Sequence, residues 1–79
     1  MVHKINNVNS DVNELFVDLI ERNISNRRQS IIFLTNNQLT LNSRGVSVDL
    51  KDDALLVYND DGALKDIIDV NNIIAVVTK

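Results

Sequence analysis

Between residues 12 and 20 the apolar side chains fall at Val12, Leu15, Phe16, Leu19 and Ile20. This i, i+3, i+4, i+7, i+8 spacing is one stripe of an α-helix. Ser10 suits an N-cap, and Asp11 and Glu14 would place carboxylates near the positive end of the helix dipole. Arg22 falls in the last turn, and Asn23 can close the helix in the left-handed conformation. The spacing predicts a helix over 10–23. Residues 1–9 (MVHKINNVN) show no period and read as a flexible N-terminal arm.

Past the helix the pattern changes to short apolar runs with polar breaks. Ile31-Ile32-Phe33-Leu34, flanked by Ser30 and Thr35, reads as a strand over 29–35, and Asn36-Asn37 supplies a tight turn. Leu39 and Leu41 then alternate at odd positions, and Val46, Val48 and Leu50 at even ones. The buried face therefore switches parity between Leu41 and Val46. Either Asn42-Ser43-Arg44-Gly45 is a hairpin turn, or a single strand over 38–50 carries a bulge there, and Gly45 suits both readings. Strands over 54–58, 63–69 and 73–78 follow, separated by Asn59-Asp60-Asp61-Gly62 and Val70-Asn71-Asn72. Breaks this short make sequence neighbours antiparallel neighbours in space. The expected fold is mainly β: an N-terminal α-helix followed by a five-stranded, strongly bent antiparallel meander, forming a single small-barrel domain over 10–79.

Composition narrows the function classes. The chain has 79 residues, no cysteine and one histidine, His3. Neither a disulfide framework nor a thiolate zinc site is open to it, so a domain this small is expected to gain stability by association with copies of itself. No segment is apolar for long enough to span a bilayer and no secretory signal is visible, so the expected location is cytoplasmic. The net charge is −3, with Asp49, Asp52, Asp53, Asp60, Asp61, Asp66 and Asp69 crowding the second half. That balance is the reverse of a general nucleic-acid binder.

Candidate chemistry is sparse. The aspartates do not follow the calcium-loop spacing, no nucleophile sits beside a histidine base, and there is no glycine-rich phosphate loop. The expectation is a binding protein with no enzymatic activity, cofactor or metal. Arg22, Arg27 and Arg28 are the side chains best suited to phosphates. Ile67, Ile68, Ile73, Ile74, Val76 and Val77 are too many for one small core. As outer strands they would be an aggregation hazard unless paired with another subunit's edge. Ile67, Ile68, Ile73, Ile74 and Val76 are therefore candidates for a homo-oligomer interface.

The order of elements resembles the Sm-like fold and its bacterial Hfq branch over about residues 13–78. The stretches that carry the likeness are SIIFLTNN (30–37), VDLKDDALLVYND (48–60) and IDVNNIIAVV (68–77), with Gly45 at or beside the glycine where that family's second strand bends. The resemblance implies a small barrel closing into a homo-oligomeric ring, with Asn71 and Asn72 at a pore where RNA bases bind. Bacterial members carry an aromatic, a lysine and a histidine at the junction occupied here by Asp69, Val70 and Asn71. The implied function is an Sm-like homo-oligomeric binding module, divergent in its RNA chemistry. The alternative is a small-barrel protein-interaction module with no nucleic-acid role, its acidic face meeting a basic partner. An SH3-like barrel is the related fold a monomer would favour.

Overall fold

The computed structural model describes the backbone of residues 2–42 and 44–79, and side chains from residue 12 onward. A helix, α1, runs Val2–Ser25. It begins eight residues before the Ser10 cap expected from the sequence, so residues 2–9 are helical, and Ser10, Asp11 and Glu14 lie past the first turn. Met1, the remainder of that expected arm, lies outside the described residues. The physical reason is that residues 2–9 contain neither proline nor glycine, and extending an existing helix is far easier than nucleating one.

The helix also ends differently. Asn23 is not its left-handed cap but a helical residue only 3% exposed. The left-handed position is Arg27, at φ 59°. The Arg28 N–H donates to the Asn23 carbonyl at 2.7 Å, and the Arg27 N–H to the Ile24 carbonyl at 3.2 Å. That reciprocal pair is the Schellman closure.

Among the described residues six strands follow: β1 Ser30–Leu34, β2 Gln38–Leu41, β3 Ser47–Lys51, β4 Ala54–Tyr58, β5 Leu64–Asp69 and β6 Ile73–Thr78. They form two antiparallel three-stranded sheets, ordered β2-β1-β6 and β3-β4-β5. The single strand expected over 38–50 is thus two strands. β2 pairs with β1 and β3 with β4, so these two strands are joined neither as a hairpin nor as one bulged strand. Between Leu41 and Ser47 the chain turns a corner and leaves one sheet for the other. Gly45 takes φ 69° there, and a Cβ on it would stand 2.9 Å from the Asp60 Cβ in the β4–β5 turn. The parity switch between Leu41 and Val46 is the sequence trace of this corner.

A 3₁₀ turn, Val70–Asn72, makes the second passage between the sheets, from β5 to β6. The first and last strands pair, with Ser30 opposite Thr78 and Ile32 opposite Val76. One core joins both sheets and the helix: Val17 and Ile20 from α1, Ile32 and Leu41 from the first sheet, Leu55, Val57 and Ile68 from the second. Beneath the helix end, Asn23 donates from Nδ2 to the Ser30 hydroxyl at 2.9 Å and accepts at Oδ1 from the Thr78 hydroxyl at 3.0 Å. These two bonds satisfy a buried amide and tie α1 to both β1 and β6.

Candidate functional site

Each sheet has two outer strands, and their surfaces differ. On β2 and β3 the exposed residues are mostly polar: Gln38, Thr40, Ser47, Asp49 and Lys51, with Leu50 the exposed large apolar residue. On β5 and β6 the exposed residues include Leu64 (50%), Ile67 (63%), Ile74 (61%) and Val77 (44%). Among the described residues, β5 pairs only with β4, and β6 only with β1. Each therefore offers an unpaired row of backbone donors and acceptors beside exposed apolar side chains, the combination that recruits another strand.

Of the five interface candidates, Ile68 and Ile73 are each 5% exposed and belong to the core, and Val76 packs against it. The apolar surface of Ile68 and Ile73 is covered by their own chain, and that of Val76 in part. Ile67 and Ile74 remain available. Leu64, which sequence reasoning did not single out, joins them; its signal was an apolar residue immediately after the Gly62 turn. A cavity of about 350 Å³ lies beside β6, where Val12 and Phe16 of the helix meet Ile73 and Ile74. It extends the apolar surface from the free edge to the exposed flank of α1, which carries Leu15.

The five residues proposed to contact RNA fall into two groups. Arg22, Arg27 and Arg28 are exposed around the C-terminal end of the helix. Arg28 uses its Nε to donate to the Lys79 carbonyl at 3.0 Å. Asn71 and Asn72 lie in the 3₁₀ turn beside the helix at Asn13, about 20 Å along the axis from Arg27 at 1.5 Å per residue. The Asn71 side chain accepts from Asn13 Nδ2 at 2.8 Å, and its backbone N–H donates to the Asp69 carboxylate at 3.0 Å. The Asn72 carbonyl accepts from the Thr35 N–H at 3.1 Å. These asparagines hold a turn against the helix and against the β1–β2 connection.

The arginines have a different neighbour. Arg27 lines a cavity of about 530 Å³ together with Ile24, Gln29, Asn42, Arg44, Gly45 and Val46. This is the concave face of the corner between β2 and β3, closed by the end of α1. Arg44 was not among the sequence candidates because no local pattern links residue 44 to residue 27. Among the described residues, no three carboxylate or imidazole groups converge as a metal site would require. No described helix is long and apolar enough to cross a membrane.

No protein-family model, curated protein or solved structure matches this chain.

Proposed function

We propose that this chain is an Sm-like binding module that assembles with copies of itself, β5 of one copy pairing with β6 of the next. In this reading the two sheets are halves of one small barrel. β2 and β3 are the arms of its bent strand, joined by the corner at Gly45. The observation that carries the proposal is the pair of unpaired edges, β5 and β6, which bear Leu64, Ile67, Ile74 and Val77 exposed. Two different edges on one subunit give a head-to-tail contact, which closes into a ring when the rotation per step permits.

Native mass tests this directly. Light scattering on the full chain should give a defined multiple of 8.9 kDa, a hexamer or heptamer on the Sm-like reading, that persists on dilution. A single-chain mass at every concentration would overturn the assembly. Replacing Ile67 with lysine sets an ammonium group in the joint and should yield monomers that remain folded, because the side chain is outside the core.

An assembly that binds other proteins and no nucleic acid is the second reading. It is favoured by the junction at Asp69-Val70-Asn71, where the Asp69 carboxylate accepts from the Asn71 backbone N–H and the Asn71 side-chain carbonyl accepts from Asn13 of the adjoining helix. Filter binding of A-rich and U-rich oligonucleotides at low salt separates the two readings, since phosphate contacts are strongest there.

A further inference from the structure

We infer that the cavity between the end of α1 and the β2–β3 corner is a binding site for a phosphate oxyanion. Three independent features point to it. First, among the described residues its lining contains two guanidinium groups, Arg27 and Arg44, and no carboxylate. In a chain of net charge −3 these cations meet in one concavity. Neither makes an ion pair among the described residues, so both are free to form charge-assisted hydrogen bonds to an anion, for which the guanidinium fork is suited.

Second, the wall is built and polar. Gln29 Nε2 donates to Asn42 Oδ1 at 3.1 Å. That bond fixes both side chains and leaves the Asn42 amide group as a further donor. The negative end of the helix dipole opposes an anion here, and the closure of the helix offsets part of that opposition. The carbonyls of Arg22, Asn23 and Ile24 accept from the N–H groups of Asn26, Arg28 and Arg27.

Third, Arg27 occupies a conformation that disfavours it. At φ 59° it holds the left-handed position of the helix closure, where glycine is the least strained residue. A large cationic side chain kept at such a position, facing a cavity with a second arginine, is the kind of local strain that accompanies ligand binding. The Asp60 carboxylate lies against Gly45, and its negative charge opposes an anion and limits affinity.

The shared chemistry is the phosphate group, carried by free phosphate, a phosphomonoester or a phosphodiester backbone. The experiment titrates the full chain with inorganic phosphate, adenosine monophosphate and a short single-stranded oligonucleotide. Amide chemical shifts and thermal melts are followed, with chloride at matched ionic strength as the reference. Phosphate should shift the amides of Arg27, Gln29, Asn42 and Gly45 and raise the melting temperature, where chloride does neither. Arg44→Gln should weaken the response about tenfold, the loss of one charge-assisted contact.

The Arg27→Gly variant separates binding from folding. Glycine relieves the left-handed strain, so its melting temperature without phosphate should rise while the phosphate response falls. Comparison of the three ligands identifies the source. A larger response to the monophosphate than to the oligonucleotide marks a terminal phosphate, and the reverse marks a backbone. Shifts outside this cavity, a phosphate response equal to that of chloride, or full responses in both variants would overturn the site.

Discussion

Gly45 is pinned by two constraints of different origin. Its φ of 69° lies where side chains other than glycine are strained, and a Cβ there would meet the Asp60 Cβ at 2.9 Å. Gly62, at φ 87°, shares the first constraint alone, because a Cβ on it would have open space around it. Gly62→Ala should cost about 1–2 kcal/mol for the backbone conformation. Gly45→Ala should cost about 2–4 kcal/mol, the backbone term plus crowding against the β4–β5 turn. Urea denaturation of the two variants side by side checks the difference, and equal costs would mean that the corner yields without strain. Asn23 is the polar counterpart. Asn23→Ala leaves the Ser30 and Thr78 hydroxyls without their partner under the helix end, and should destabilise the fold by about 1–3 kcal/mol in the same measurement.

At the scale of elements, the helix separates what the sequence carries from what it does not. The stripe Val12, Leu15, Phe16, Leu19, Ile20 identifies a helix and its apolar side, and α1 is there. The buried residues, however, are Val17, Ile20 and Asn23, while Val12 and Leu15 are 41% and 66% exposed. The core thus meets one margin of the stripe. Spacing reports which side is apolar; the angle at which β6, the 3₁₀ turn and β3 receive the helix decides which margin is covered, and that is a tertiary quantity. Ile20→Ala should therefore cost about 2–5 kcal/mol, as a buried truncation does. Leu15→Ala should stay within about 0.5 kcal/mol, as read by thermal melts. The strands divide similarly. The runs at 31–34, 55–57 and 73–77 were legible from their β-branched content and breaks. The split of 38–50 was legible as a parity switch but not as a change of sheet, because pairing partners are set by distant chain. The same reason hid the basic cavity, whose arginines are seventeen positions apart and meet through the corner.

For the whole molecule, the decisive question is how the two apolar edges are used. A two-fold contact would join like edges, β5 to β5 or β6 to β6, and would stop at a dimer. A head-to-tail contact joins β5 to β6 and leaves each end of a pair free to continue. The two schemes respond differently to damage on one edge. Ile67→Lys impairs only the β5 edge and Ile74→Lys only the β6 edge, and both residues are more than 60% exposed, so neither substitution should disturb the core. If the contact is head to tail, each variant alone has one sound edge and nothing to join it to, and each should scatter as a monomer. Mixed in equal amounts, the intact β6 edge of the first meets the intact β5 edge of the second. The mixture should then contain dimers, and no larger species, since the outer edges of that pair are both damaged. If like edges pair instead, one variant should remain dimeric alone and mixing should add no new species. Sedimentation velocity on each variant and on the mixture distinguishes these outcomes. Circular dichroism on the same samples shows whether a monomer is a folded subunit with a blocked edge or an unfolded chain.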